Sequence, residues 1–309
     1  MIIFILRRFL IAIPVMFLII AMAFFMMRIA PGGPFTSERK LPPEIEANML
    51  AAYDLDKPLH IQFLKYVNGV LHGDFGPSYK YKDFSVNELI ARGAPVSMKI
   101  GLLAMFLAFT VGVTLGTLAA LNQNSAIDYT VMGLAMTGIT IPNFVVAPLL
   151  TLFFGVYWHL LPVAGWNDGA WNHMILPVFA LSLPYIAYIS RLTRGGMIEV
   201  LRSNYVRTAR AKGLSEFVVV RRHAMRAGLM PLVSFIAPAT AGIVGGSVVI
   251  EQIFNLPGIG RYFIIGALQR DYTLVMGVVI LYAGLIITLN IIADVVYAVL
   301  DPKIKLGRA

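Results

Sequence analysis

The amino-acid sequence predicts an all-α integral membrane protein with six transmembrane helices. Three observations lead to this fold class: the composition, six long apolar stretches, and an uneven distribution of lysine and arginine. Of the 309 residues, 58% are hydrophobic and 13% are charged, and the mean hydropathy is +0.77. Soluble domains typically have about 25% charged residues. This chain therefore has more apolar surface than a soluble fold can bury, and lipid is the solvent that suits it.

Each apolar stretch has the length of a membrane-spanning helix, for which about 20 residues cross roughly 30 Å of hydrocarbon. The six stretches cover approximately residues 9–27, 98–121, 129–157, 174–189, 229–250 and 274–300. The third is long enough to tilt or to break, and Pro142 lies inside it. Prolines also interrupt the fourth and fifth. Because neighbouring helices can satisfy the backbone groups that a proline frees, these prolines indicate either broken helices around a pathway or ordinary kinks.

Lysine and arginine are concentrated on one side of the predicted membrane. Residues 191–226 include nine basic and two acidic side chains, whereas residues 31–95 include seven basic and eight acidic ones. With six spans, the basic residues of both termini fall on the same side as 191–226: Arg7, Arg8, Lys303, Lys305 and Arg308. Because cytoplasmic loops carry the excess of basic residues, both termini and the 191–226 segment are predicted to be cytoplasmic. We attribute the net charge of +9 to membrane orientation and expect no nucleic-acid partner.

The longest polar segment, residues 31–95, is predicted to form an extracytoplasmic helical loop. Pro43 and Pro58 each precede apolar residues at helical spacing, and Ser85 with Glu88 matches a capping box. The loop is either a docking platform for an outside partner or a cap over the outer mouth. The predicted organisation is a cytoplasmic N-terminus and first transmembrane helix at 1–30, this loop at 31–95, and a membrane core of five helices at 96–309 with a cytoplasmic loop at 191–228.

The most informative polar segment is residues 205–231, which we call the basic segment. Small and basic residues at helical spacing lead to Gly213, which can adopt the left-handed conformation that ends a helix, and Ser215 can begin another. The predicted helix–turn–helix suits insertion into a groove on another protein. The alternative is a basic loop that only fixes topology and contacts anionic membrane lipid.

The basic segment reads Arg-Thr-Ala-Arg-Ala-Lys-Gly-Leu at 207–214 and Arg-His-Ala at 222–224. It resembles the cytoplasmic signature loop of permease subunits in binding-protein-dependent ABC importers, in its peptide-importer variant. The broader family has Glu-Ala-Ala, three residues and then glycine, and of that pattern this chain has only Ala209 and Gly213. Residues 249–260, 270–272 and 294–303 resemble further segments of the family, and residues 24–34 and 73–78 resemble its oligopeptide-importer permeases.

The resemblance implies a type I ABC importer permease in a bacterial inner membrane, forming half of the translocation pathway for oligopeptides. A second homologous permease subunit would form the other half, two ABC ATPase subunits would bind from the cytoplasm, and an extracytoplasmic peptide-binding protein would deliver the substrate. The basic segment would then contact an ATPase and couple its closure to the spans. The implied docking residues are Thr208, Ala209, Ala211, Gly213 and Leu214, with Arg207, Arg210 and Lys212 supplying complementary charge.

The chain has no sequence motif of a nucleotide site or a hydrolase. It lacks Gly-x-x-x-x-Gly-Lys-Ser/Thr, His-Glu-x-x-His and Gly-x-Ser-x-Gly. It has no cysteine, and its five histidines are scattered without metal-ligand spacing. We therefore expect a non-catalytic subunit without a cofactor or metal of its own, with ATP and Mg²⁺ bound by the partner ATPases.

Asp294 lies well inside the sixth apolar stretch. A carboxylate within a membrane is a candidate for proton relay or substrate contact. The alternative is a structural ion pair near the cytoplasmic interface, with a basic residue near Arg191 or Arg194.

Three further polar residues are candidates for the pathway or a gate. Glu251 closes the fifth stretch, where a charge is expected to be solvated and a gate role is the alternative. Asn143 and Asn290 either line the pathway, offering amides to a peptide backbone, or form hydrogen bonds between helices.

Alternative functions predict different residue patterns. A sister ABC importer for dipeptides, glutathione or nickel chelates would have the same architecture. A proton-coupled secondary transporter would need inverted repeats and ionisable residues at the midplane, and the predicted midplane is nearly uncharged. A membrane-embedded enzyme would need a cluster of nucleophile, base or metal ligands, which the sequence does not suggest.

Overall fold

A computed structural model describes residues 2–29, 33–34, 43–81 and 83–300, and the backbone of this part of the chain is predominantly helical. The described ranges include no β-strand, only an isolated bridge between Pro77 and Ser85. The helices are α1 (Ile2–Ile29), α2 (Pro43–Ala52), α3 (Leu59–Leu71), α4 (Val86–Leu121), α5 (Ala126–Thr140), α6 (Asn143–Leu150), α7 (Trp171–Leu201), α8 (Asn204–Ala211), α9 (Glu216–Val218), α10 (Met225–Gly228), α11 (Met230–Val244), α12 (Val248–Ile253), α13 (Ile259–Leu268) and α14 (Tyr272–Leu300).

Short irregular helical turns connect some of these helices. A π-helical turn, Thr151–Tyr157, extends α6, and a second, Val219–Ala224, joins α9 to α10. A 3₁₀ turn, Asn167–Gly169, precedes α7. The predicted short helices of the 31–95 loop are present as α2 and α3. The basic C-terminal residues used in the orientation argument lie outside the described residues.

Within the described residues, five helical segments are long and apolar enough to cross a membrane: Leu6–Ile29, Val86–Leu121, Trp171–Leu201, Met230–Ile253 and Tyr272–Val296. The pair Ala126–Thr140 and Asn143–Tyr157 passes the same test together, with a bend of 102°, and makes a sixth if it is counted as one span. The break in the third predicted stretch falls at Pro142. Ile141 before it is extended, with φ −90° and ψ 117°, because a proline disfavours helical geometry in the preceding residue.

The chain divides into two compact units, whose boundaries fall inside α4, between α12 and α13, and inside α14. One unit consists of Met1–Val96 and Pro257–Ile287, and the other of Ser97–Leu256 and Thr288–Ala309. The division predicted from the sequence, at residues 30 and 95, follows the order of the chain. The compact units instead group 257–287 with the N-terminal residues.

The first unit has a core in which α4, α13 and α14 meet: Val86, Leu89, Ile259, Leu274 and Val278. The predicted capping box begins α4. The Ser85 backbone N–H donates to Glu88 Oε2 over 2.9 Å, and the Glu88 N–H donates to Ser85 Oγ over 3.2 Å. Together these contacts fix where α4 starts and how the polar loop enters it.

In the second unit, α7 contacts α5, α6, α10 and α11. Asp128 at the start of α5 is 1% exposed and accepts two hydrogen bonds from the Arg194 guanidinium, each 2.6 Å long. Glycines permit close helix approach: a Cβ on Gly138 would lie 2.8 Å from the Leu183 carbonyl oxygen. This unit contains the basic segment and all four pathway or gate candidates, since α14, which carries Asn290 and Asp294, belongs to it from Thr288 onward.

Candidate functional site

The basic segment folds as two helical pieces joined at Gly213. The first piece is α8, and the Gly213 N–H donates to the Arg210 carbonyl over 2.9 Å to close its last turn. Gly213 has φ +78°, in the left-handed region that favours glycine. Ser215 precedes α9 in an extended conformation. The predicted helix–turn–helix with its bend at Gly213 is therefore confirmed.

An apolar underside holds the bend together. Val206, Ala209 and Val219 are buried against one another and against Val200 and Leu201 of α7. Ala209 is only 5% exposed. Of the residues that the resemblance implied for docking, Ala209 therefore faces the core of the segment, where it stabilises the bend and offers no surface to a partner.

The other implied docking residues lie on the outside of the bend: Arg207, Thr208, Ala211, Lys212, Gly213 and Leu214 are all exposed. Two exposed apolar side chains that the sequence analysis did not select adjoin them. Phe217 is 69% exposed and Tyr205 is 47% exposed. With Leu214, these two aromatic side chains give the segment exposed apolar surface beside its exposed cations, and aromatic residues and arginine are enriched at interfaces.

Arg210 was expected to supply charge to a partner, but its guanidinium is bound within the segment. Its Nε donates to Glu216 Oε2 over 3.0 Å, and its Nη2 donates to Glu216 Oε1 over 2.6 Å. This bidentate pair spans the Gly213 bend. The hydrogen bonds from Arg210 lower the pKa of Glu216, and the carboxylate raises the pKa of Arg210. The basic segment therefore has fewer cationic side chains available to a partner than its sequence suggests.

The π-helical turn after α9 attaches the bend to the spans. Val220 and Ala224 of this turn pack with Ala120 at the end of α4 and Met197 of α7 in one buried cluster. A Cβ on Gly196 of α7 would lie 2.2 Å from the Gly228 carbonyl oxygen of α10, so α7 and α10 pack closely here. Buried contacts therefore connect the π-helical turn to α4 and α7.

Asn143 lies just after the 102° break, as the first residue of α6, and lines a cavity of about 360 Å³. The other polar and aromatic side chains around this cavity are Tyr185, Tyr188, Phe235 and Ser247. Asn143 Oδ1 is buried and accepts no hydrogen bond from the described residues. Because a buried polar atom is normally hydrogen-bonded, this oxygen is an acceptor available to a polar ligand.

Glu251 is buried, and the expectation that it is solvated is wrong. Its side chain is 2% exposed, and Ser97 Oγ donates to its Oε1 over 2.6 Å. Glu251 lies in α12, which follows α11 after a short break at Gly245–Ser247. The sequence has no local signal for this burial, since Ser97 is distant along the chain.

Asn290 and Asp294 lie about one turn apart on α14, and neither is among the residues that line the Asn143 cavity. Asn290 is exposed, and Asp294 is half-buried. Arg194, one of the proposed partners of Asp294, binds Asp128, which the sequence analysis did not select. The Arg191 guanidinium carbon lies 5.4 Å from the centre of the Tyr188 ring. Pairing of Asp294 with a basic residue stays a prediction.

Comparison with known families identifies two matching regions. Residues 112–306 match the family described as binding-protein-dependent transport system inner membrane component. Residues 1–84 match the N-terminal region described for binding-protein-dependent transport system membrane components.

Curated relatives are similar over nearly the whole length. The oligopeptide transport system permease protein OppB of Escherichia coli (strain K12) is 57% identical over 302 residues, covering 98% of this chain and 99% of the relative. OppB of Haemophilus influenzae is 52% identical with the same coverage. The dipeptide transport system permease protein DppB of Bacillus subtilis (strain 168) is 42% identical over 305 residues, covering 99% of this chain and 98% of the relative.

Solved structures share the fold. The MetNI methionine ABC transporter, in an inward-facing conformation, matches with a TM-score of 0.59 and 18% identity, over 69% of this chain and 97% of that chain. An amino acid ABC transporter matches with a TM-score of 0.52 and 17% identity, over 68% and 93%.

Proposed function

The chain belongs to the family of binding-protein-dependent transport system inner membrane components, and from this premise we propose that it forms one half of a peptide pathway across a bacterial inner membrane. It is a multi-pass permease subunit of an oligopeptide ABC importer, as its identity to oligopeptide permeases over nearly its full length indicates. In such an importer this chain is a non-catalytic membrane component that works with ATPase and binding-protein partners.

The proposed topology has six spans with both termini in the cytoplasm. Five apolar helices and the bent α5–α6 pair support the number, if the pair crosses as one span. The basic residues at 191–226 support the orientation. On this topology α2 and α3 face the outside, and the basic segment faces the cytoplasm.

Coupling to the ATPases is the central part of the proposal, and the bend at Gly213 is the observation that carries it. The bend exposes Leu214 and Phe217 on its surface, while its underside is packed on α7. We propose that this surface binds a cleft of one ATPase subunit, and that the second ATPase binds a second homologous permease subunit. ATP and Mg²⁺ would be bound on the ATPases, because this sequence has no phosphate-binding loop.

The Asn143 cavity is the proposed part of the peptide pathway in this chain. Its unpaired Oδ1 accepts from a backbone N–H, which every peptide offers whatever its sequence. Aromatic walls contribute contact area without selecting particular side chains. Peptide selectivity would then depend largely on the extracytoplasmic binding protein.

A sister importer for dipeptides is the second candidate function, because a dipeptide permease is 42% identical over nearly the same length. The two candidates share the architecture and differ in substrate length.

Uptake of labelled peptides by bacteria with and without this chain tests the proposal. We expect tetrapeptide uptake to require both the chain and cellular ATP. A chain-dependent uptake of dipeptides but not tetrapeptides would favour the sister importer. Uptake that follows the proton gradient and is lost in Asp294→Asn would overturn the proposal in favour of a secondary transporter.

A further inference from the structure

A second cavity, of about 470 Å³, lies in the unit formed by residues 1–96 and 257–287. It is enclosed by the end of α1, by α3, by residues 74–79 and by the start of α14. Its walls carry four tyrosines, Tyr53, Tyr66, Tyr79 and Tyr272, together with the charged side chains of Arg28 and Asp74. The volume is in the range of small-ligand sites. This cavity contains none of the residues considered above for docking or for the pathway.

Arg28 is held rigidly at the edge of this cavity. Its Nε donates to Gln62 Oε1 over 3.0 Å. The Gln62 amide is itself oriented, because its Nε2 donates to the carbonyl oxygens of Leu55 and Lys57 over 3.1 and 2.7 Å. The guanidinium carbon lies 3.6 Å from the centre of the Phe24 ring. These contacts fix the guanidinium plane and so determine where its remaining N–H groups point.

Two side chains that line the cavity each have a buried donor without an acceptor among the described residues. Arg28 Nη1 and Tyr66 Oη are both buried, and neither has a hydrogen-bond partner among the described residues. Burial raises the pKa of the Tyr66 phenol, which therefore stays protonated and can donate. Burial likewise raises the pKa of Tyr79 to about 12. Unsatisfied buried donors are rare in folded proteins because they are costly, so this pair indicates a site for an acceptor group.

The surrounding charges favour a carboxylate over a phosphate. Lys65, the other cation in the lining, forms an ion pair with Asp54, so only Arg28 is available to an anion. A single guanidinium with one phenol matches a monoanion with two oxygens. Asp74 accepts from the Gly76 N–H over 2.8 Å and makes no ion pair with any described residue, so it can accept from an ammonium group.

We propose that this cavity binds a short peptide, with its terminal carboxylate held by Arg28 and Tyr66. The tyrosine faces would contact side chains of any kind, as an oligopeptide carrier requires. On the proposed topology the cavity opens on the extracytoplasmic side, where peptide is delivered. This inference rests on the proposed function. An acidic side chain of a docked binding protein would offer the same carboxylate, and the experiment separates the two sources.

Calorimetric titration of the assembled permease–ATPase complex in lipid nanodiscs, without the binding protein, tests the site. The probes are a tetrapeptide with a free carboxylate and the same tetrapeptide with a C-terminal amide. We expect the amide to bind at least tenfold more weakly, because the charge-assisted hydrogen bonds are lost. Tyr66→Phe removes one donor without changing the packing and should weaken the free acid about fivefold. Arg28→Lys should abolish the preference for the acid.

Matched controls are Tyr157→Phe, at a tyrosine that is 67% exposed, and Arg92→Lys, at an exposed arginine outside the cavity. Both should bind the free acid like the wild type. Equal binding of acid and amide, or a Tyr66→Phe complex that binds like the wild type, would overturn the inference. The inference would also be overturned if peptides do not bind in the titration but Arg28→Lys weakens docking of the binding protein. The carboxylate at Arg28 would then belong to the binding protein.

Peptide uptake by the same complexes, reconstituted with the binding protein and ATP, distinguishes failure of the inferred site from failure of the proposed function. If the wild-type complex imports tetrapeptide in an ATP-dependent way while the cavity variants bind peptide normally, the inference fails and the proposed function stands. If the wild-type complex imports no peptide, the proposed function itself fails.

Discussion

Gly213 has a residue-specific role in the basic segment. Its φ of +78° is unfavourable for residues with a Cβ, and most unfavourable for those branched at that atom. A Cβ built on Gly213 would meet no atom within 4 Å. The cost of a substitution therefore comes from the backbone and not from a clash. For an ordinary L-residue that cost is about 1–2 kcal/mol.

Gly213→Val should weaken binding of the ATPase subunits roughly tenfold, because about 1.4 kcal/mol corresponds to that factor and valine would open the bend. Gly213→Asn is the matched control, since asparagine tolerates the left-handed conformation. Co-purification of the ATPases with each variant, and peptide uptake by each, measure the effect. If Gly213→Val retained its ATPases and transported normally, the docking role of the bend would be refuted.

Single residues also show which features of the structure could be predicted from the sequence. The bend at Gly213 was predictable because glycine adopts the left-handed conformation that commonly ends a helix. Ala209 and Arg210 belong to the same motif, yet one is buried under the bend and the other is bound to Glu216. A motif gives the identity of residues and not the direction of their side chains, which depends on how α8 packs against α7. Glu251 was assigned to solvent for the same reason.

At the scale of helices, the consequence of a proline depends on its surroundings. Pro142 coincides with the 102° break between α5 and α6. Pro177 and Pro184 lie inside α7, which continues through both. Pro177 is buried, and α7 is packed by helices on several sides. The apolar lengths were therefore sufficient to locate the long apolar helices, but the choice between kink and break depended on tertiary packing that the sequence does not show.

The ion pair between Asp128 and Arg194 joins α5 to α7 across 66 positions of sequence. Asp128→Asn should lower the stability of the protein by about 2–4 kcal/mol, because it leaves a largely buried arginine without its counter-charge. The midpoint of thermal unfolding of the purified protein in detergent measures the change. The double variant Asp128→Asn/Arg194→Gln should recover part of the loss.

Glu216→Gln is the control for the Asp128–Arg194 ion pair. It breaks a bidentate pair of similar geometry, in which the Arg210 side chain is 39% exposed and that of Glu216 is 52% exposed. An exposed pair contributes at most about 1 kcal/mol. If the midpoint of thermal unfolding of Asp128→Asn is no lower than that of Glu216→Gln, the ion pair between α5 and α7 does not stabilise the unit.

At the scale of the whole molecule, the order of the chain and the grouping of its parts differ. Residues 257–287 follow the basic segment in sequence but pack with residues 1–96. The Ser78 and Asp271 side chains, hydrogen-bonded and both buried, are one contact that joins these distant parts. Hydropathy and charge follow the chain residue by residue, so they predicted the spans and the orientation but could not predict this long-range grouping.

On the proposed coupling, movement of an ATPase would reach the spans through the bend, and the buried cluster of Ala120, Met197, Val220 and Ala224 offers a contact route. Ala224 is fully buried in it. Ala224→Leu should overpack the cluster, at a cost of about 1–3 kcal/mol, and shift the π-helical turn against α7. The exposed residues of the bend would be unchanged, so the ATPases should stay bound and hydrolyse ATP while peptide uptake falls at least fivefold.

Ala227→Leu, the same change at an exposed position of α10, should leave both activities unchanged. Uptake and hydrolysis measured on the same reconstituted complexes distinguish the outcomes: a loss of both in Ala224→Leu would indicate that the turn holds the ATPase, and a loss of neither would show that coupling runs through other contacts.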